Sequence, residues 1–465
     1  MKKALLSSYF AGIKQNVAGE RYSSIIRYFL PEFITALVLY SLVNLVDAKF
    51  IAHLKSSALY ATVGVTGTLF HFITKIAEGL SIGAVILCGK YHGQKSYEDV
   101  GKSAITALWI TALFGIVISG FLFVNAGFIY QLYRVPTEMI SVGVPFLKLR
   151  AVGIFFMFAF FALIGFLRGV KNTRMTMAFF LLGSSVFLFF DYVLIFGKLG
   201  FPALRLQGSA IASIIQYVVM FSAALAYILF DKECRRYRMK LSLGINWRFA
   251  QMLLLLSWPV MIDKAVLALA KMWLARLMSP MSTYALSTFT VINHMEMFAF
   301  APAIAFAQVV TFLVSNDFGA GNWDGIKNNI KKILLLSSIM VMGILFLFSL
   351  RPEAIISLFD HKREFTFFAA RAFPWISVLV FFDLLQLILS GALRGAANVR
   401  IVMWVRLVSF ICFFMPLSYV VSILPISSDL VKFVMIYGSF YVGNGFMSLL
   451  YIYWFRSGRW QSQKI

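Results

Sequence analysis

The chain has 465 residues, 61% of them hydrophobic and 13% charged, and its 42 Lys and Arg against 19 Asp and Glu give a formal net charge of +23. Soluble domains carry roughly 45–50% apolar and about 25% charged residues, so this composition excludes an ordinary soluble enzyme and defines an integral membrane protein. Three single cysteines, Cys88, Cys234 and Cys412, offer neither the paired spacing of a zinc site nor the even count of a disulfide framework.

Residues 1–24 begin with basic residues but lack an apolar core followed by a small-residue cleavage site, so they read as a basic, partly amphipathic cytoplasmic segment and not as a cleaved signal peptide. Apolar runs of about 20 residues, each able to cross roughly 30 Å of hydrocarbon as a helix, then recur almost to the C-terminus. The pattern predicts twelve transmembrane helices, at 25–53, 59–90, 103–126, 140–167, 175–197, 206–230, 249–278, 283–316, 329–350, 366–393, 400–424 and 429–455. Several exceed the bilayer thickness, which implies tilt or protruding ends.

With the N-terminus inside, the inner connections hold most of the Lys and Arg, among them Lys90, Lys95, Lys102, Arg168, Lys171, Arg174, Arg235, Arg236 and Lys332, and the outer loops hold few. The positive-inside rule therefore places both termini in the cytoplasm of a multi-pass plasma (inner) membrane protein. Because the basic residues punctuate spans, with no stripe interleaved with aromatics, a nucleic-acid partner is not expected.

The most basic connector, residues 231–248, falls at the midpoint. LIGFLRGVKNTR at 163–174 returns as LSGALRGAANVR at 389–400, where Gly165, Leu167, Arg168, Gly169, Asn172 and Arg174 recur as Gly391, Leu393, Arg394, Gly395, Asn398 and Arg400 at one offset of 226. Gly89 and Gly93 are echoed by Gly319 and Gly321, and FIAHL at 50–54 by WLARL at 273–277. The expected architecture is thus an all-α membrane protein of two six-helix bundles, 25–230 and 249–455, joined by the 231–248 linker and followed by a cytoplasmic tail at 456–465. An even number of helices gives both bundles the same orientation, related by a pseudo-twofold axis along the membrane normal, with substrate sites between the repeats.

The sequence resembles the multidrug and toxic compound extrusion (MATE) family, in the superfamily that also contains lipid-linked oligosaccharide flippases. The likeness runs over nearly the whole chain and rests on Val46-Asp47, on Glu78-Gly79-Leu80-Ser81-Ile82-Gly83 running into Gly89 to Gln94, on the Leu-Arg-Gly repeats, on Asp191 before the Gly208 to Ser213 turn, on Glu296, on Asp383 and on Pro416 to Tyr419. It implies a secondary antiporter that expels amphipathic, often cationic compounds in exchange for inward H⁺ or Na⁺. By the same resemblance, Asp47 and Asp191 are coupling carboxylates of the first bundle, and Glu296 with Asp383 is the acidic pair of the second. The family's Na⁺ site adds an Asn one turn before the Asp191 position, where this chain has Phe187, and a Thr where it has Ser213. Loss of an amide oxygen disfavours a dehydrated Na⁺, so H⁺ is the favoured coupling ion.

The residues support part of this without the resemblance. A carboxylate within hydrocarbon costs about 2.5–3.5 kcal/mol on insertion scales and should face the bundle interior. Asp47 and Asp191 sit at matched depth on two helices that both run outward, so they are expected to meet, and two carboxylates in one poorly solvated pocket bind protons more readily. His71, Lys75 and Glu78 share one helical face and read either as cavity residues or as a structural ion pair. Lys264 and Lys271 share a face of the seventh helix, and Lys49 and Arg406 add further intramembrane cations. Asn293, His294 and Glu296 place polar groups mid-span in the eighth. So many internal cations would suit an anionic, zwitterionic or lipid-linked substrate, and snorkelling is the structural alternative for Lys49 and Lys271.

The glycine-rich pieces lack the Lys-Ser/Thr ending of a phosphate loop, and no nucleophile motif accompanies the buried acids. The expected protein is therefore a transporter and not an enzyme, with no cofactor beyond its coupling ion, no metal, no ATPase subunit, and a monomeric state in the bilayer. Two alternatives remain: a flippase of lipids or lipid-linked saccharides on the same scaffold, and, from another class, a channel or membrane-embedded enzyme.

Overall fold

The computed structural model describes residues 13, 18–38, 43–54, 56–133, 136–239, 245–281, 283–357 and 363–462, and these contain helices and no strands. Most of the expected N-terminal segment and the middle of the linker lie outside the described residues. The first expected span corresponds to α1 (Tyr22–Leu37) and α2 (Val43–Ala52), with residues 39–42 between them likewise outside. There follow α3 (Ser57–Gly93), α4 (Tyr97–Leu132), α5 (Thr137–Gly169), α6 (Thr173–Phe196) and α7 (Leu206–Phe230). After the linker come α8 (Trp247–Met278), α9 (Thr283–Gly319), α10 (Trp323–Leu350), the short α11 (Pro352–Ile356) and α12 (Arg363–Gly395). The chain ends in α13 (Val399–Val408), a π-helical segment (Ser409–Phe414), α14 (Met415–Ile423) and α15 (Asp429–Arg456). Eleven stretches among the described residues are long and apolar enough to cross a membrane.

Two features depart from the periodicity. Several helices outlast the hydrocarbon, α10 for example running from residue 323 where 329 is expected, because the Asn322 side chain accepts from the Gly325 N–H and so satisfies a first-turn backbone donor outside the apolar run, as Asn172 does for α6. The expected helix 400–424 is interrupted by the π-helical turn just before Pro416. A proline ring clashes with the carbonyl four residues earlier, and a wider turn relieves that clash without ending the helix.

The chain divides into two compact units, Ile34–Met261 and Met1–Phe33 with Ile262–Ile465. Both cuts fall within helices, whereas the boundaries read from sequence follow the linker. Packing explains the difference. In the first unit the early turns of α8 lie against α3, with Ser257 and Leu253 facing Gly83 and with Phe249 edge-on to Tyr91. In the second, Phe29 of α1 stacks on Phe306 of α9 at 4.0 Å between ring centres.

The internal repeat is expressed as helix contact. Gly165 and Gly169 of α5 press on the carbonyls of Ser81 and Val85 in α3, and Gly391 and Gly395 of α12 press on those of Ala307 and Thr311 in α9. All four correspondences share the offset of 226. A β-carbon at Gly165 would sit 2.7 Å from the Ser81 oxygen and one at Gly395 2.5 Å from that of Thr311, so only glycine allows these backbones to approach. The connections repeat as well: Lys171 and Ala397 both take positive φ, and at the same offset Gly93 and Gly319 end α3 and α9. The glycine echo thus pairs Gly93 with Gly319, one step out of the register read from sequence.

Candidate functional site

In the first unit, α2, α5, α6 and α7 bring four polar side chains together inside an apolar bundle. Asp47 of α2 accepts a hydrogen bond from Ser209 Oγ of α7 at 3.1 Å. Asp191 of α6, fully buried, stands beside both residues, and neither of its oxygens has a well-formed hydrogen bond among the described residues. Arg150 of α5 lies within electrostatic reach of both carboxylates. Its guanidinium is 4.8 Å from the ring centre of Phe70 and 5.5 Å from that of Phe146, which fixes the cation by its flat faces. Gly208 seats the start of α7 against the backbone at Leu194, and this close approach carries the next residue, Ser209, to the acids. Ser213, one turn further on, donates to the Ala210 carbonyl at 2.7 Å. Phe187 is buried one turn before Asp191.

On α3, Lys75 Nζ bridges both oxygens of Glu78 at 2.9 and 3.0 Å, so the ion-pair arrangement is the one this helix adopts. His71 is exposed on the same helix.

The second unit holds a larger network. Tyr437 of α15 donates to Glu296 Oε2 of α9 at 2.6 Å, with Tyr441 alongside. Asn444 of α15 donates to Asp383 of α12 at 2.9 Å. Lys271 of α8 donates to Asn293 at 2.8 Å and lies within electrostatic reach of Glu296, Asp383 and the exposed His294. At the centre is Asp263 of α8, 1% exposed: Arg394 of α12 donates to one oxygen at 2.5 Å, and Nε of Arg406 of α13 donates to the other. Lys264 also acts on Asp263, and Arg406 on Asp383. Burying ions is tolerated when each charge finds a close partner, and here one carboxylate serves two guanidinium groups.

Arg150, Ser209, Asp263, Tyr437 and Asn444 were not singled out from the sequence. Arg150 and Asp263 carry a readable signal, since each is a charge within an apolar run. Ser209, Tyr437 and Asn444 carry none, because hydroxyl and amide groups are unremarkable until a partner from another helix reaches them.

Long apolar helices in two units, each with charged and polar side chains turned to its interior, define a multi-pass membrane transport protein. The MatE family model matches residues 33–193 and 259–420, and the chain belongs to that family of transporters. It is 25% identical over 407 residues to the Bacillus subtilis protein named "Probable multidrug resistance protein YoeA", covering 85% of this chain and 86% of that one. It is 24% identical over 437 residues to the Thermotoga maritima "Probable multidrug resistance protein NorM", covering 92% and 91%. A solved structure described as "Crystal structure of MATE in the straight conformation" superposes with a TM-score of 0.84 at 17% identity, covering 95% of this chain and 97% of that one. Another, described as an "Outward-facing conformation of a multidrug resistance MATE family transporter of the MOP superfamily", gives 0.85 at 16% identity, covering 95% and 96%.

Proposed function

We propose that the protein is a secondary antiporter of the plasma membrane, with both termini cytoplasmic, that exports amphipathic organic compounds by alternating access in exchange for inward protons. The observation that carries this reading is the Asp47–Asp191–Ser209 cluster with Arg150 in reach. One cation faces two carboxylates, so full ionisation leaves one buried negative charge in excess, and uptake of a single proton cancels it. A group whose buried charge is balanced only when protonated suits proton exchange. Phe187 supports protons over Na⁺, since it offers a ring where a hard cation needs an oxygen. Names of relatives that carry multidrug resistance support export as the direction and bulky apolar compounds as cargo.

The test uses the purified chain in liposomes, with a pH gradient or a Na⁺ gradient imposed separately and a panel of amphipathic cations, anions and neutral compounds. Accumulation driven by the pH gradient alone is expected. Flux without exchange stoichiometry, as in a channel, or scrambling of labelled lipid without small-molecule transport, as in a flippase, overturns the reading.

A further inference from the structure

The two acids of the first unit have unequal surroundings. Asp47 is half-buried and accepts from the Ser209 hydroxyl at 3.1 Å, whereas Asp191 is 0% exposed and neither of its oxygens has a well-formed hydrogen bond among the described residues. A hydrogen bond donated to a carboxylate favours the charged form, and burial without a donor disfavours it. The two carboxyl groups also lie within hydrogen-bonding reach of each other, so a proton on either one is shared as a donor with the other. Interacting acids titrate as a pair, and their surroundings decide which of them holds the proton.

Placed on Asp191, the proton leaves a neutral buried acid whose O–H donates to Asp47, and Asp47 then accepts from both Ser209 and Asp191. Placed on Asp47, it leaves the deeper carboxylate ionised and spends the Ser209 hydroxyl on an acid with no charge to stabilise. The first arrangement costs less. The charged groups acting on Asp191 are Asp47 of α2 and Arg150 of α5. α7, packed against α6, carries no Asp, Glu, Lys, Arg or His, and its Tyr217 lies within electrostatic reach of Arg150. Arg150 acts on both carboxylates through space, because the rings of Phe70 and Phe146, 4.8 and 5.5 Å away, hold its guanidinium. One guanidinium balances one carboxylate, and the other is balanced by a proton.

We propose that Asp191 is the proton carrier of the first unit, and that Asp47 stays ionised as the partner of Ser209 and Arg150. The proposal rests on the proton-antiport reading and divides the work of its site between the two acids. Loading transfers a proton from hydronium to an Asp191 oxygen, forms one O–H bond, leaves a water molecule, and takes the cluster from one net negative charge to none; unloading reverses each change. Arg150 is a positioning residue that acts through Asp47 and fixes the number of protons at one. Where Asp47 carries no charge, the same guanidinium balances Asp191 and keeps it ionised.

The experiment is infrared spectroscopy of the full chain in phosphatidylcholine nanodiscs at neutral pH, with no cargo and no gradient. Carbon-13 in the aspartate side-chain carboxyls separates the acid-form C=O stretch of Asp from that of Glu. The native chain is expected to show an acid-form component that Asp191→Asn removes. Asp47→Asn should remove it too, since Arg150 then balances Asp191. Adding Arg150→Gln to Asp47→Asn should restore the component to its native size, a rescue that a merely structural role for Arg150 would not give. Adding Arg150→Gln to Asp191→Asn should restore nothing, because Asp47 keeps its Ser209 donor and its partial exposure. A component that survives Asp191→Asn, no regain in Asp47→Asn with Arg150→Gln, or a native-sized component in Asp191→Asn with Arg150→Gln overturns the proposal. Should a double variant fail to elute as a monodisperse peak, dicyclohexylcarbodiimide, an apolar reagent for protonated carboxyls, decides on the native chain. An adduct on Asp191 in peptide mass spectra then supports the proposal, and an adduct on Asp47 or on neither acid overturns it. Failure here leaves proton-driven export standing with another carrier, and failure of export in liposomes leaves this equilibrium result standing.

Discussion

Ser209 donates to the Asp47 carboxylate across 162 residues of sequence, at 3.1 Å, and so ties α2 to α7 at the point where Asp191 is buried. The proposed coupling role acts through charge, which a conservative change removes without disturbing shape. Asp47→Asn is therefore expected to abolish export driven by a pH gradient while the protein still folds and inserts. Ser209→Ala should keep transport but shift its pH profile, because the hydrogen bond stabilises the charged form of its partner. Flux measured against internal pH in liposomes checks both, and wild-type flux from Asp47→Asn would move coupling to the acids of the second unit.

Phe187 gives a companion expectation on ion choice. Transport in a Na⁺ gradient at fixed pH should be slower than in a pH gradient at fixed Na⁺, and Phe187→Asn should raise the Na⁺-driven rate by restoring an amide oxygen. Full Na⁺-driven transport in the native chain, with no gain from the substitution, would show that other ligands hold the ion.

Asp263 is the structural centre of the second unit's ion network. Asp263→Asn leaves Arg394 and Arg406 buried beside a neutral group, and removing one partner of a buried pair typically costs about 3–5 kcal/mol. A marked fall in the detergent melting midpoint and in the yield of monodisperse protein is expected. Lys102→Gln, which breaks the exposed pair with Glu98, should leave both unchanged.

The glycines of the repeat predict a contrast of sign. Gly395→Ala drives a methyl group onto the Thr311 carbonyl and should lower the melting midpoint, and Gly165→Ala should act alike against Ser81. At Gly64 and Gly343 a β-carbon meets nothing within 4 Å, and alanine there should be neutral or stabilising by up to about 1 kcal/mol through helix propensity. Thermal melts of the four single variants, read side by side, test the packing directly.

At the start of the linker, Asp231 accepts from the backbone N–H groups of Glu233 and Cys234, and Tyr237 packs edge-on to Phe166 and Tyr97. Burial first, and then the neighbouring Asp231 charge, push the Cys234 thiol up to about 12. The reactive thiolate is therefore scarce at neutral pH. With Cys88 and Cys412 replaced by alanine, maleimide labelling of Cys234 should be slow at pH 8, quicken about 10-fold per pH unit below that value, and become fast on unfolding in dodecyl sulfate. Rapid labelling of the folded protein at pH 8 would mean that the linker turn is not docked.

The order of the long apolar helices and the 226-residue repeat were legible in the sequence, since hydropathy and glycine placement act locally: a helix in hydrocarbon satisfies its own backbone, whatever its neighbours. That Asp47 and Asp191 come together was legible too, because position is counted along each helix. What the tertiary structure alone decided was which side chains meet across helices. Asp263 lies between Arg394 and Arg406, 131 and 143 residues away, and helix rotation about its axis, set by packing, turns all three inward to one point. Arg150, Ser209 and Tyr437 entered their sites for the same reason. The π turn at Ser409–Phe414 likewise left no trace in hydropathy, because it changes the hydrogen-bond spacing of a continuous apolar helix without changing its composition.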